Sequence, residues 1–314
     1  MYEQIARNKR RSVSYLCAFV IVWLGIGALV GWLAATTVTR QPGASEPVAS
    51  DVLVGVAIAG LLALAAVAFT LRSGARLVLT LAGAKPADPV RHAQLCNLVE
   101  ALAIGDGLPT PAVYVVDDAS PNAFATGISP ARAAVTVTSG LLAVMDREQL
   151  EGVLGHELSH IKNYDTRLLL IVTTLIGMAG LLASIAWRSA FLTRGRGRDA
   201  NQITALVMAA GLLLAVVGWL VGPIIRLALS RRRESLADAS SVELTRNPAG
   251  LIRALRTLQA NDRPLARTNH ATAAMCIDDP LQHHEGAMHR LFDTHPPIAD
   301  RIAVLERMAQ GLSV

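Results

Sequence analysis

The chain has 314 residues, of which 52% are hydrophobic and only 17% are charged, and this is too apolar for an ordinary water-soluble protein. Its net charge of +5 comes mainly from basic residues beside apolar stretches, without interleaved aromatic residues, so a nucleic-acid-binding surface is not expected. Its three cysteines are far apart and form no CxxC pair, which argues against a disulfide framework or a thiolate metal site.

Four stretches of the chain carry no charged residue, and each has at least the roughly 20 residues that a helix needs to cross a bilayer. The basic start of the chain fits a signal peptide, but the first apolar run is longer than the usual ~7–15 residues and a second run soon follows. We therefore expect an uncleaved membrane anchor. The four stretches are Ser12–Thr39, Val52–Leu71, Leu168–Trp187 and Ala200–Ile225.

The first two stretches are predicted to form a hairpin, because the segment between them, Arg40–Asp51, is rich in Pro, Gly and Ser. Basic residues precede the first stretch at Arg7–Arg11 and follow the second from Arg72 onward, whereas Arg40 is the only one between them. The positive-inside rule therefore places the N-terminus and the chain after Arg72 in the cytoplasm.

The polar part of the chain after the hairpin has mixed helix and strand patterns. Helical spacing of apolar residues predicts a helix over Lys85–Pro109, and the β-branched run Pro111–Asp118 predicts a strand. Two short strands around a turn at Gly127–Pro130 are expected within Ser120–Gly140. The sheet is therefore predicted to be small.

Three further helices are predicted in the polar segments. Asp146 and Gln149 are suited to be the N-cap and N3 residues of the helix that carries His156. The segment Arg231–Leu258 is amphipathic and broken at Pro248, and a short helix closes the chain. No clean periodicity appears in Ala260–Met288, which predicts a loop.

The residues His156-Glu157-Leu158-Ser159-His160 fit the pattern H-E-x-x-H. On a helix, residues i and i+4 lie on one face, so both imidazoles can bind one Zn²⁺. The carboxylate of Glu157, beside the first ligand, can then take a proton from a water that the metal activates. The alternative is a surface helix with two incidental histidines.

A catalytic zinc needs a third protein ligand and an open position. Glu234 is the best candidate, because Asp238 follows four residues later and can accept the free N–H of a ligand histidine. The alternative for this pair is a solvated ion-pair face with Arg231–Arg233. The candidates for the third ligand are Asp165, Glu234, His270, His283, His284, His289 and His295.

The second pair of apolar stretches predicts how the two halves of the site meet. His160 lies eight residues before Leu168, and Glu234 lies nine residues after Ile225, so that each is about 12–14 Å beyond the apolar boundary in a helix. A helical hairpin would return both to the same side. The arginine-rich loop Arg188–Ala200 opposes full spanning from a cytoplasmic site, which leaves a shallower hairpin as the alternative.

Four segments of the chain occur in the order and spacing of the HtpX-type membrane metalloproteases, which are relatives of the CAAX prenyl protease Ste24. These segments are "SPNAFATG", "LGHELSHIKNYD", "RRRESLADA" and "THPPIADRI". The resemblance covers essentially the whole chain. It implies that His156, His160 and Glu234 bind one zinc ion and that Glu157 is the general base. It further implies that Asp238 orients a ligand histidine.

The resemblance also implies two less specific roles. His295 resembles the family histidine that faces the site, where it stabilises the oxyanion. The segment "NAFATG" resembles the strand that lines the substrate cleft, which implies peptide binding by strand addition. A plain structural hairpin is the alternative for this segment. The residues implied for substrate binding are Asn122, Ala123, Phe124 and Ala125.

The expected fold is α+β and mainly α-helical. It combines four hydrophobic helices, transmembrane or partly embedded, with a cytoplasmic gluzincin-like zinc metalloprotease domain that contains a small β-sheet. The expected division of the chain has an N-terminal hairpin, the first part of the protease domain, a second hydrophobic hairpin and the second part of the protease domain. These four parts are residues 1–72, 73–167, 168–225 and 226–314.

The resulting hypothesis is a zinc endopeptidase of the bacterial inner membrane that cleaves misfolded or damaged membrane proteins. Its expected partners are protein substrates and membrane lipid, with no nucleic acid. One alternative is a membrane scaffold with a zinc-stabilised fold and no turnover. Another is a Ste24-like processor of prenylated peptides, although four apolar stretches are too few for that family's larger chamber.

Overall fold

The structure is a computed structural model, and it describes residues 2–37, 48–193, 204–205, 207–213, 215, 231–261, 276–277 and 297–310. Several predictions fall outside these residues. They concern most of the fourth apolar stretch, most of the loop Arg188–Ala200, most of the predicted loop Ala260–Met288, and the histidines His270, His283, His284, His289 and His295.

The described residues are mainly helical, as the sequence predicts, with a small sheet. The helices are α1 (Tyr2–Thr37), α2 (Val48–Leu81), α3 (Ala93–Gly105), α4 (Ser139–Val144), α5 (Arg147–Lys162), α6 (Asp165–Thr193), α7 (Arg231–Thr245), α8 (Pro248–Ala260) and α9 (Ile298–Ala309). The strands are β1 (Lys85–Pro86), β2 (Ala112–Val116), β3 (Ala123–Gly127) and β4 (Ala133–Thr138). The start of the helix predicted over Lys85–Pro109 is wrong, since Lys85 and Pro86 form β1 and α3 begins at Ala93.

The sheet has the strand order β1-β2-β4-β3 and is mixed. Strands β2 and β4 are parallel, whereas β4 pairs antiparallel with β3 across a short 3₁₀ turn at Pro130–Arg132, which confirms the predicted strand pair. Gly127 at the end of β3 has a φ of 142°, and a Cβ atom there would lie 2.5 Å from the carbonyl oxygen of Arg132. Glycine therefore permits the tight turn between the two strands.

The chain forms two compact units. The first comprises Met1–Arg10, Ser73–Leu170 and Ile225–Val314, and the second comprises Arg11–Arg72 and Ile171–Ile224. The main core of the first unit combines apolar side chains of α3, α5, α8 and α9 with β3 and β4. Its most deeply buried members include Leu95, Val99, Val135, Val137, Leu154, Leu158, Leu255 and Leu305.

The second unit contains long apolar helical segments. Among the described residues, three helices are long and apolar enough to cross a membrane, namely Glu3–Thr36, Val48–Leu81 and Asp165–Arg188. Within this unit the backbones of α1 and α2 are in close contact. A Cβ atom at Gly27 would lie only 2.4 Å from the carbonyl oxygen of Gly55. Small residues at such a contact are typical of helix pairs in membranes.

The basic segment before the first apolar stretch is part of helix α1. Residues from Tyr2 onward are helical, and Asn8 is completely buried even though Arg7 and Lys9 beside it are exposed. The helix therefore begins well before the first apolar stretch. Its first residues belong to the same compact unit as α5.

Candidate metal centre

Helix α5 begins at a capping box, as predicted. The Asp146 carboxylate accepts a hydrogen bond from the Gln149 amide at 2.9 Å, and the Gln149 side chain accepts one from the Asp146 amide at 2.9 Å. These contacts satisfy two backbone N–H groups that a helix start leaves unpaired. The register of the helix, and hence the direction of His156 and His160, is fixed from this end.

Two neighbouring helices approach α5 closely because glycine faces each of them. A Cβ atom at Gly152 would lie 2.8 Å from the backbone of Leu251 in α8, and one at Gly155 would lie 2.8 Å from the Ser241 hydroxyl in α7. Ser241 also donates a hydrogen bond to the carbonyl of Gly152 at 2.7 Å. These contacts hold α7, which carries Glu234, directly against the helix of the two histidines.

The three predicted ligands lie together. His156 Nε2 and His160 Nε2 are 3.1 Å apart, and the Glu234 carboxylate lies 3.5 Å from the first and 3.6 Å from the second. The alternative of a solvated ion-pair face is wrong for Glu234, since only 1% of this residue is exposed. Among the described residues, these three form the cluster able to bind a metal ion.

Each histidine has its own carboxylate on the far side of the ring. His156 Nδ1 lies 2.8 Å from Asp238, and His160 Nδ1 lies 3.1 Å from Asp165. An Nδ1–H group that donates to a carboxylate leaves the Nε2 lone pair directed at the cluster. Asp165, one of the candidate third ligands in the sequence, therefore contacts a ligand ring instead of joining the ligand atoms.

The geometry of the cluster fits zinc. Ligand atoms about 2.0–2.1 Å from a tetrahedral zinc lie about 3.3 Å from one another, which is close to the separations of 3.1, 3.5 and 3.6 Å found here. Nitrogen atoms of two imidazole rings and a carboxylate converge in a largely buried space, and this is a set of donors that can bind a cation. Three protein ligands leave a fourth tetrahedral position for a substrate or water.

The carboxylates around the two histidines raise the pKa of both rings in the metal-free protein. Burial and the neighbouring Arg301 cation lower the pKa of His156, but hydrogen bonds to Asp238 and Glu234 raise it more, so that the pKa rises from 6.5 to about 9. Burial also lowers the pKa of His160, and the negative charge of Glu234 and the contact with Asp165 reverse this effect and raise it. The site therefore attracts positive charge strongly.

Two buried arginines complete the surroundings of the carboxylates. Arg301 in α9 donates two hydrogen bonds to Asp238, at 2.7 and 3.0 Å, and one to the carbonyl of Ile277 at 3.1 Å. Burial raises the pKa of Asp238, but the Arg301 cation and the His156 contact overcome this effect and lower it well below its usual range. Arg233 in α7 donates to Asp165 at 3.1 Å.

Glu157, the predicted base, is buried beside His156 on α5, with 2% of its surface exposed. His295 lies outside the described residues. The sequence reasoning did not identify Arg301 or Asn8, and it gave Asp165 another possible role. Arg301 could have been found from the sequence, because it lies within the segment "THPPIADRI" that carries the family resemblance.

The strand predicted to bind substrate, β3, lies at the edge of the sheet. Its outer side already has a partner at one position, since the Ile277 amide donates to the Ala123 carbonyl at 2.9 Å. The Asn122 side chain accepts a hydrogen bond from the Ala123 amide at 2.9 Å. Because outward-facing backbone groups alternate along a strand, the next position that faces the same edge is Ala125.

A membrane protein whose H-E-x-x-H helix meets a glutamate from a second helix belongs to the class of metallopeptidases. Peptidase family M48 matches residues 89–309 of this chain. A "Protease HtpX homolog" of Levilactobacillus brevis is 40% identical over 98% of this chain and 100% of its own length, and one of Streptococcus gordonii has the same identity and coverage. The chain is therefore a member of peptidase family M48 and resembles its HtpX proteases.

The fold is similar to that of a protein whose crystal structure is known. The crystal structure of Ste24p from S. mikatae superposes with a TM-score of 0.50 over 98% of this chain and 67% of that one, at 16% identity. This similarity concerns the fold. Together with the three long apolar helices, the family assignment identifies the chain as a membrane metalloprotease.

Proposed function

We propose that this protein is a zinc-dependent endopeptidase of the plasma membrane that cleaves misfolded or damaged membrane proteins. The observation that carries the proposal is the convergence of His156 Nε2, His160 Nε2 and the Glu234 carboxylate at mutual separations between 3.1 and 3.6 Å. One zinc ion per chain would bind these three residues and supply Lewis acidity to the scissile carbonyl and to water.

The protein residues have distinct tasks in this reaction. Glu157 takes the proton of the attacking water and returns it to the leaving amine, as a buried carboxylate beside the first ligand can do. Asp238 and Asp165 keep the two ligand rings in the tautomer that directs Nε2 inward. His295 is proposed, by resemblance, to stabilise the negative charge that develops on the carbonyl oxygen.

The substrate is proposed to bind as an added strand along β3. An extended peptide can add backbone hydrogen bonds to the edge strand of a sheet, and it need not share a sequence to do so. All five residues of β3 are buried, so the peptide would have to enter a cleft to reach them. The contact between Ile277 and Ala123 covers the edge near Asn122 and Phe124, so the peptide pairs first with Ala125. Backbone recognition of this kind suits a protease for diverse damaged proteins.

The active site is proposed to face the cytoplasm. The charge pattern favours a cytoplasmic N-terminus. Asn8, close to that N-terminus, donates a hydrogen bond to Asp165 at 2.7 Å, and Asp165 contacts the ligand His160. This contact supports the proposal that the N-terminus and the metal centre share one side of the membrane.

The proposal is tested with purified protein in detergent and with unfolded casein as substrate. We expect cleavage that a zinc chelator abolishes and that added zinc restores. A zinc-stabilised scaffold, the alternative class, would bind zinc and lose stability with the chelator but would cleave nothing. A protein that retains one zinc per chain and leaves both casein and membrane substrates intact would refute the proposal.

A further inference from the structure

Asn8 makes contacts that a residue in a basic, solvated tail would not make. Its side chain is completely buried, and its amide nitrogen donates to the carbonyl of Asn163 at 2.9 Å and to the Asp165 carboxylate at 2.7 Å. Its partners lie more than 150 residues away in the sequence. Asn8 is therefore tied to a specific place in the first compact unit.

That place is the junction between α5 and α6. Asn163 is the C-cap of α5, Tyr164 has a φ of 60°, and Asp165 begins α6. Asn8 contacts two groups at this junction, since its side-chain amide donates hydrogen bonds to the Asn163 carbonyl and to the Asp165 carboxylate. The Lys9 ammonium, next to Asn8, lies 4.4 Å from the centre of the Tyr164 ring and adds a cation–π contact.

The two oxygens of Asp165 have different partners. One accepts hydrogen bonds from Asn8 at 2.7 Å and from Arg233 at 3.1 Å, and the other lies 3.1 Å from His160 Nδ1. A carboxylate held on one side by two donors cannot rotate freely on the other. The orientation of the His160 ring thus depends on Asp165, and Asp165 depends partly on Asn8.

We propose that Asn8 is a positioning residue for the metal centre, which is complete only when the first turns of α1 are docked against the α5–α6 junction. This inference rests on the proposed zinc site. It makes the beginning of the first apolar helix part of the protease's metal-binding structure in addition to its role as an anchor. Changes at the N-terminus should accordingly alter zinc affinity.

The test compares full-length Asn8→Ala, Asn8→Asp and Arg7→Ala in detergent, with zinc affinity measured by competition against a chromogenic chelator. Asn8→Asp keeps the shape of the side chain, removes the N–H donor and places a second carboxyl group beside Asp165, whereas Asn8→Ala removes the donor alone. We expect both Asn8 variants to bind zinc about 10–100-fold more weakly than the wild type. Arg7→Ala changes an exposed neighbour on the same helix and should bind zinc normally.

General destabilisation is controlled by Val99→Ala, a substitution in the buried core on α3. It should lower the thermal unfolding midpoint without weakening zinc binding. Normal zinc affinity in Asn8→Asp would overturn the inference, as would an equal loss of affinity in Val99→Ala. The result does not depend on cleavage, so a wild type that binds zinc but cleaves nothing would refute the proposed function and leave this comparison valid.

Discussion

His156 Nδ1 and the Asp238 carboxylate lie 2.8 Å apart with almost no solvent exposure, and Arg301 holds the same carboxylate with two hydrogen bonds. Asp238 therefore contacts the ring of a proposed metal ligand and also neutralises the buried Arg301 cation. Removal of one partner from a buried ion pair leaves an uncompensated charge, and this is more costly than loss of an exposed pair.

We predict that Asp238→Ala lowers the stability of the protein by about 3–5 kcal/mol, because Arg301 remains buried without its partner. Zinc affinity should fall about 10–100-fold. Chemical unfolding and chelator competition measure the two effects. The matched control is Glu306→Gln, which removes an exposed carboxylate partner of Arg256 and should change stability by less than about 1 kcal/mol. Equal losses in both variants would contradict the role of Asp238.

Zinc binding should depend on pH through His156. Its pKa in the metal-free folded protein is about 9, above the ordinary value of 6.5, so zinc must displace a proton at neutral pH. Zinc affinity should rise by at least about tenfold for each pH unit in this range, since the pKa of His160 is raised as well, and the contribution of His156 should level off above pH 9. Titration calorimetry in buffers of different ionisation enthalpy counts the released protons. Affinity that is constant between pH 7 and 9 would contradict the raised pKa.

Protonation of His156 gives the stability of the metal-free protein the opposite pH dependence to that of zinc affinity. A pKa raised on folding stabilises the folded state fully below the unfolded value of 6.5, and this contribution is lost as the pH rises through about 9. We therefore predict that the metal-free protein loses stability over this interval. Saturating zinc should remove most of this dependence, because the bound metal keeps the histidine neutral at every pH in the range.

The contact between α5 and α8 requires glycine. In Gly152→Ala the new methyl group would lie 2.8 Å from the backbone of Leu251, which cannot move as a side chain end can. We predict a loss of about 1–3 kcal/mol of stability and weaker zinc binding, since α5 carries both histidines. Gly177→Ala in α6 has nothing within 4 Å of the added carbon and should leave both measurements unchanged. Unaltered thermal unfolding of Gly152→Ala would disprove this packing argument.

Membrane orientation is tested by labelling single cysteines in an otherwise cysteine-free protein. From the Asn8–Asp165 contact we expect Glu3→Cys and Val90→Cys to lie on one side of the membrane, and from the charge pattern we expect that side to be the cytoplasm. An impermeant reagent applied to intact cells should label neither, but it should label Ser45→Cys between the first two apolar stretches. Different labelling of Glu3→Cys and Val90→Cys would be incompatible with the contact.

Local patterns in the sequence predicted the local elements. The capping box of Asp146 and Gln149, the strand pair around Gly127 and the helix break at Pro248 each depend on residues within a few positions of one another. The ligand histidines share a helix face for the same reason. The prediction of Glu234 as the third ligand could not rest on the H-E-x-x-H helix itself. It rested on the spacing of four residues between Glu234 and Asp238.

Contacts between distant residues were not predictable in the same way. Nothing near Asn8 in the sequence indicates that it meets Asp165, since the pair is separated by 157 positions and an isolated asparagine in a basic segment has no distinctive pattern. The sequence offers Asp165 only as one of several candidates for the third ligand. Only the fold shows that its carboxylate contacts Nδ1, on the side of the ring away from the cluster.

The most direct test is to measure zinc content and cleavage together in wild type and Glu157→Gln. Glu157 is proposed to act on the water and is not among the three clustered ligand residues, so the variant should keep one zinc per chain. Its cleavage rate should fall at least about 10²-fold, the lower range for removal of a general base. A Glu157→Gln protein that holds zinc and cleaves as fast as the wild type would contradict the account.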